Sequence, residues 1–454
     1  MNRPSAGDDN VQAPLEKAAQ TLTEPFRDFV RSQSASGWLL LVATLLAVGI
    51  ANSSWASTYF DILNVNIGVS VDAASLELTL QHWVNDGLMA LFFFLLGLEL
   101  KRELLVGQLS DFRRATSVLL AALGGMILPA LLFLAIGHSG AVRAGWAIPI
   151  ATDTAFALTL LVLLGHRVPG VARAFLVGLA IVDDLGAILV IALAYSSEFD
   201  FAYLAPAIAS LLMLFGLNLA GVRRGLPYLL VGMGLWLTFV GLGLHGTLAG
   251  VVVAMAAPVR PAIARNTFVQ ALKQRLQKFE DKHQDDTDTI IEQPEQQEIA
   301  QDVVEVAAKA TAPLPRWESR LERPVSFVVM PLFAFMNAGI VLSGAAIRSA
   351  WSSELSYAVA AGLLLGKPVG ILAGVWVGQR VNLAALPEAL SSRHLIGLGL
   401  LGGIGFTMSM FIATLSFGEG GTLLDIAKQS IIATSLFAGC LGYAWLRWVC
   451  PRAS

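Results

Sequence analysis

Apolar runs recur along nearly the whole of this chain, near 36–52, 82–107, 116–137, 144–164, 170–195, 202–220, 226–243, 245–262, 324–348, 355–376, 393–415 and 425–449. Most are long enough, as helices, to cross a hydrocarbon core of about 30 Å. The expected fold class is an all-α membrane protein with twelve transmembrane helices. Composition agrees: 56% of residues are hydrophobic and 14% charged, where a soluble domain carries about 25% charged residues. The mean hydropathy of +0.67 points the same way. A soluble enzyme or binding module is excluded. The net charge of −3 carries little information, because charge here is sorted by side. Cys440 and Cys450 both fall in the last run, too few for a disulfide scaffold or a metal site. Residues 1–35 are polar with both signs of charge and no early apolar stretch, so no cleavable signal peptide is expected and the first run acts as an uncleaved anchor.

The basic residues set the orientation. If the N-terminal segment 1–35 is cytoplasmic, the same side receives Arg102, Arg113, Arg114, Arg167, Arg173, Arg223, Arg224, Arg380, Arg393 and the basic residues of the 260–323 stretch. Of the 30 Lys and Arg, only Arg143, Arg348 and Lys428 fall on the other side, and Lys367 falls within a span. This is the positive-inside pattern, with both termini cytoplasmic. An odd number of spans would scramble it. The organisation expected is a cytoplasmic segment 1–35, spans one to eight over 36–262, a long cytoplasmic loop 263–323, and spans nine to twelve over 324–450.

Two segments outside the bilayer have their own patterns. In 59–80, Val65, Ile67, Val69 and Val71 alternate with polar or small residues. Leu76, Leu78 and Leu80 alternate again after Asp72-Ala73-Ala74-Ser75. Period two on both sides of a turn predicts a β-hairpin. A two-stranded hairpin is marginal alone, so it pairs with another copy or packs on the helices. In the long loop, Phe268, Leu272, Leu276 and Phe279 recur at helical spacing and predict an amphipathic helix. The stretch from Asp281 to Glu298 reads as mobile, and the loop as a solvated linker. A surface helix around Phe26, Phe29 and Val30 is also expected.

The polar residues inside the spans carry the chemistry. Asp183-Asp184 stands at the middle of GVARAFLVGLAIVDDLGAILVIALAY. Each carboxylate at the bilayer centre costs roughly 2.5–3.5 kcal/mol to insert, so the pair is a functional site by default. The two side chains diverge by about 100° around a helix. One can line a cavity while the other meets a neighbouring helix. A buried carboxylate holds either a proton or a metal cation, and that exclusion is the chemistry of antiport. Lys367 lies mid-span in GLLLGKPVGILAG and needs a counter-charge, with Asp183 or Asp184 as the natural partner. Asp153 is flanked by Thr152 and Thr154, close to Pro149, which breaks the helical ladder. A second break is expected at Gly402-Gly403-Ile404-Gly405-Phe406-Thr407. Interrupted segments in matching positions of two halves point to a transporter site.

Other candidates lie nearer the surfaces. Asp86, with Asn85, sits at the outer end of span two, and Glu99 and Glu103 at its inner end. Glu322 and Arg323 open span nine on the inner side. These residues are either ordinary flanking charges or an inner funnel that concentrates cations. His245, at the outer end of span eight, either titrates near neutral pH or is merely hydrogen-bonded. No nucleotide-binding motif, redox ligand set or soluble-enzyme triad is present, so transport energy comes from an ion gradient. No cofactor, nucleotide or nucleic acid is expected as a partner.

The runs NDGLMALFFFLLGLELKREL (85–104), IPIATDTAFAL (148–158), GLAIVDDLGAI (178–188), PLFAFMNAGI (331–340), GKPVGI (366–371) and GIGFTMSMFIA (403–413) together resemble the NhaA family of bacterial sodium/proton antiporters. The resemblance covers most of 35–450. It implies a twelve-helix inner-membrane antiporter whose fourth and eleventh helices are interrupted and cross at mid-membrane. Spans three to five and ten to twelve would form two inverted repeats, and Asp153 and Lys367 would offset the half-helix dipoles. It also implies Asp184 as the main Na⁺ or Li⁺ ligand and Asp183 as its neighbour paired with Lys367; from the residues, Thr152 is a further candidate ligand. Exchange would be electrogenic and rise at alkaline pH, serving sodium and pH homeostasis. A homodimer would form through the hairpin. Two departures stand out: Arg323 occupies a position where the family often carries histidine, and the 263–323 loop is longer than usual. A channel would need an open pore. A sodium-coupled solute symporter would need a cavity for an organic substrate.

Overall fold

Leu, Ala, Val, Ile and Phe are prominent in the apolar runs, and in lipid only a helix satisfies their backbone groups within one segment. The computed structural model describes residues 35–71, 74–107, 112–195, 199–281, 294–383 and 390–450. The segment 1–34, with the helix expected around Phe26, and the hairpin-turn residues 72–73 lie outside the described residues.

In chain order the main elements begin with α1 (Ala35–Ala51), α2 (Ala56–Leu63), β1 (Asn66–Val71) and β2 (Ala74–Thr79). There follow α3 (Met89–Val106), α4 (Phe112–Ile136), α5 (Thr154–Leu164), α6 (Gly170–Ala194), α7 (Leu204–Leu219), α8 (Gly225–Leu242) and α9 (Thr247–Ala256). The long loop contributes α10 (Arg265–Asp281), α11 (Pro294–Ala310) and α12 (Pro313–Pro324). The last part holds α13 (Met330–Asn337), α14 (Gly344–Trp351), α15 (Glu354–Arg380), α16 (Ser392–Gly402), α17 (Phe406–Phe417) and α18 (Thr422–Val449). Among the described residues, six helices are long and apolar enough to cross a membrane, or eight if each bent pair counts as one span.

Both expected breaks are present. The run expected as span four begins as a series of tight turns over 144–150, with Ile148 N–H donating to Gly145 O at 2.9 Å and Ile150 N–H to Ala147 O at 3.1 Å. Residues 151–153 form no regular structure, with Asp153 extended, and only then does α5 begin. α16 and α17 meet at an angle of 49° across Gly403–Gly405.

The sheet is the expected hairpin, β1 antiparallel to β2, with Ile67 opposite Leu78 and Val69 opposite Leu76. Its first part needs correction: residues 59–63 are not strand but the end of α2, which turns from α1 by 115°. The hairpin is tied to the helices by the Trp83 indole N–H, which donates to Ile67 O at 3.0 Å. The 263–323 stretch carries more helix than its reading as a solvated linker implied. α10 is the amphipathic helix expected at Phe268–Phe279, but α11 packs against it and helical structure already begins at Pro294, inside the stretch read as mobile. Residues 282–293 lie outside the described residues. Ala262 N–H donates to Lys309 O at 2.9 Å and closes the two-helix unit onto the membrane-facing body.

The most extensive helix pairing joins α4 to α15, and it is built on glycine. A Cβ on Gly370 would strike Gly124 O, one on Gly124 would strike Gly370 O, and one on Gly374 would strike Leu120 O. Backbone cannot yield as a flexible side chain can. Gly370→Ala is therefore expected to destabilise by about 1–3 kcal/mol, the usual scale of overpacking. Because Lys367 lies one turn earlier on α15, the change should also disturb its side chain. Thermal melting in detergent checks this; a melting temperature equal to wild type would show that the two backbones have room to separate.

Candidate functional site

The breaks produce two helix N-termini and a helix C-terminus at one place, each with polar groups that the helices cannot satisfy themselves. Asp153 stands just before α5 in extended conformation and is its N-cap, Oδ1 accepting from Phe156 N–H at 3.2 Å. Its Oδ2 accepts from the N–H of Thr407 at 3.1 Å and from the Thr407 hydroxyl at 2.5 Å. α17 has no capping side chain of its own at Gly405, so Asp153 caps two helices, with Ser435 Oγ taking Phe406 N–H at 3.2 Å. The segments are also stitched directly: Asp153 N–H donates to Ile404 O at 2.6 Å, and the Ser409 hydroxyl donates to Ile148 O at 2.7 Å.

Every group that meets the Asp153 carboxylate is a donor, which suits the ionised form and the positive ends of two helix dipoles. Asp153→Asn keeps the shape but turns an NH₂ toward one of those donors. It is expected to lower stability by roughly 1–3 kcal/mol, the penalty for a buried polar group left unmatched. Thermal melting again reads the effect; wild-type stability would show that the caps are dispensable.

The acid pair lies beside this crossing on the uninterrupted α6. Asp183 is 0% exposed and Asp184 2%. Thr152 Oγ1 lies 2.9 Å from Asp183 Oδ2 and 2.9 Å from Gly402 O, the last carbonyl of α16. Lys367, itself fully buried, places Nζ 2.5 Å from the same Oδ2. Asp183 thus meets Lys367 and Thr152 through one oxygen. Its Oδ1, and Oδ1 of Asp184, are buried with no hydrogen-bond partner. Asp183 and Asp184 thus each keep one carboxylate oxygen free of protein donors, with the Thr152 hydroxyl bridging Asp183 to a helix-end carbonyl. Among the described residues no group of three or more His, Cys, Asp or Glu converges to hold a metal ion.

The remaining sequence candidates separate into two other places. On the face carrying α10–α12, Glu99, Glu103 and Glu322 join one charged cluster around Arg102. Arg102 Nε lies 2.9 and 3.0 Å from the two carboxylate oxygens of Glu318, and one of its terminal nitrogens lies 2.9 Å from Glu103. Arg323 acts on Glu322. Burial raises the Glu318 and Glu322 carboxyls above their ordinary range, opposed by Arg102 at both and by Arg323 at Glu322. Asp86 and His245 instead line a cavity on the hairpin face. His245 Nε2 lies 2.7 Å from Tyr195 O.

Sequence reasoning missed two contributors. Glu318 was legible only as the residue one turn before Glu322 on the helix that α12 proves to be. Thr407 stood within the expected break, but nothing local assigned it to Asp153, some 250 positions away.

Residues 27–446 match the family model described as Na⁺/H⁺ antiporter 1. The chain is 42% identical over 444 residues to the Na(+)/H(+) antiporter NhaA of Sulfurimonas denitrificans, covering 98% of this chain and 100% of that protein. It is 43% identical over 426 residues to the Na(+)/H(+) antiporter NhaA of Oleidesulfovibrio alaskensis, covering 94% of each. With the Na(+)/H(+) antiporter NhaA 1 of Saccharophagus degradans the identity is 40% over 441 residues, covering 96% of this chain and 95% of that protein.

Proposed function

The chain belongs to the Na⁺/H⁺ antiporter 1 family, and from that premise we propose that it exchanges Na⁺ or Li⁺ for protons at the Asp183–Asp184 pair. The observation that carries this reading is the buried carboxylate oxygens without protein donors, set beside the crossing of two broken segments.

Asp184 is the principal cation ligand, and Asp183, Thr152 Oγ1 and the Gly402 carbonyl are its supporting oxygens. A carboxylate that carries a proton cannot coordinate Na⁺, so the two ions compete for one position. Lys367 holds Asp183 ionised while Na⁺ is bound. When protons replace Na⁺, the Asp183–Lys367 pair can part and the second acid takes a proton as well. More protons than sodium ions then move per cycle, which makes exchange electrogenic. Asp153 stays ionised throughout and keeps the half-helices joined as they reorient.

The acidic cluster around Arg102 delivers the cation. Glu318 and Glu322 keep their protons to higher pH than ordinary carboxyls, so the cluster gains negative charge as pH rises above the usual carboxylate range. That supports activation at alkaline pH and a role in sodium and pH homeostasis. The chain takes the twelve-span inverted-repeat arrangement in a bacterial inner membrane, with both termini cytoplasmic. A homodimer forms through β1–β2, whose Ile67 is 44% exposed in the single chain.

The test is reconstitution into proteoliposomes with an internal pH dye, pulsed with Na⁺, Li⁺ or K⁺ from neutral to alkaline pH. Na⁺- and Li⁺-driven pH changes that grow with pH, and with an imposed membrane potential, are expected. No cation-driven pH change at any pH would overturn the reading and favour solute symport.

A further inference from the structure

The hairpin-face cavity has a volume of about 460 Å³ and is lined by His82, Asn85, Asp86, Tyr195, His245 and Thr414 among others. None of Thr152, Asp153, Asp183, Asp184 or Lys367 lines it, so it is separate from the core site. It adjoins that site through α17, which is capped by Asp153 at one end and contributes Phe411, Thr414 and, just beyond its last residue, Gly418 to the cavity.

Asp86 stands in a π-helical turn, Trp83–Leu88, and is 8% exposed. Its Oδ2 makes no hydrogen bond of ordinary geometry, although Thr247 N–H and the Trp236 indole lie beside the carboxyl. Among the described residues no Lys or Arg lines the cavity; its other titratable side chains are His82, Tyr195, His245 and Glu419. A carbonyl can only accept, so His245 Nε2 donates to Tyr195 O. An ionised carboxylate at this depth without a fixed counter-ion is expensive, and a mobile cation offsets that cost. Asp86 is the buried carboxylate of a lining whose other acid is Glu419, which suits a singly charged cation, and no group of three ligating side chains is present among the described residues.

We infer that Asp86 is the ligand of a second, outer station for one monovalent cation, occupied in turn by Na⁺ leaving and by protons entering through the hairpin face. The choice of Na⁺ rests on the antiport reading; the binding itself rests on the cavity. Gly246 belongs to the same design, because a Cβ there would press on both Asp86 Oδ2 and the Trp236 indole. Trp236 stacks on Trp83 with ring centroids 5.6 Å apart, so it reports on the station.

The test is a Na⁺ titration of tryptophan fluorescence on the full-length protein carrying Asp184→Asn, which disables the core site. Choline serves as the control cation. A saturable, Na⁺-specific change is expected, lost on adding Asp86→Asn and silent on adding Trp236→Phe. Gly246→Ala should raise the half-saturating Na⁺ concentration about tenfold, the scale of one weakened charge contact. A change that survives Asp86→Asn, or no Na⁺-specific change in the Asp184→Asn protein, would overturn the station. No transport is measured, so this failure is distinct from failure of antiport itself.

Discussion

Asp184→Asn is expected to abolish Na⁺- and Li⁺-driven proton movement while leaving the protein folded. The amide is nearly isosteric, so packing around the 2%-exposed side chain is kept. It carries no titratable proton and no charge to offer a cation, so both halves of the competition vanish together. Stability should hold or rise, because Asp184 Oδ1 has no partner to lose and one of two adjacent buried acids is removed. The measurements are the proteoliposome pH assay and a thermal melt on the same preparation. Normal Na⁺-driven proton movement in Asp184→Asn would sink the assignment. Loss of transport with a collapsed melt would reveal a structural residue.

Lys367 is the second large effect. It is fully buried, and among the described residues its one ion-pair partner is Asp183. Lys367→Met leaves a carboxylate at the protein centre facing only Thr152, and removing one member of a buried pair costs roughly 3–5 kcal/mol. Asp183→Asn strands the ammonium instead and should cost a similar amount. The double variant removes both charges and should recover much of the loss, so the two single effects will not add. Melting of the four proteins completes the cycle. A potential-sensitive dye on the same set reads charge movement, which should fall when either member is removed. Additive stability losses would mean that the pair, 2.5 Å apart here, does not couple.

Much of this was legible in the chain. Apolar runs too long for a soluble core set the helical membrane class, and period-two alternation on both sides of 72–75 set the hairpin. Pro149 and the glycines of 402–405 marked the breaks, because one lacks the N–H a helix needs and the others hold a helix weakly. A carboxylate pair amid lipid-facing residues marked the site. Local pattern suffices for such features, since each depends on a few neighbouring residues and on the solvent around them.

Other features were decided only by packing. The residues alone left Lys367 free to pair with Asp183 or Asp184; the relative rotation of α6 and α15 selects Asp183, and a helix turns about 100° per residue. That rotation is itself altered by a π-helical turn at Gly362–Gly366, immediately before Lys367, as it is at Trp83–Leu88 around Asp86. Such turns have no strong sequence signature and shift every later side chain around the axis. The cap from Asp153 to Thr407, the Glu318–Arg102 pair and the packing of α10 on α11 likewise join residues far apart in sequence or depend on a partner surface. The sequence by itself therefore determined which segments are helical, where they fail and which charges are out of place. Tertiary structure decided which of those charges meet, because contact across helices depends on crossing angle and axial rotation, to which a one-dimensional pattern is blind.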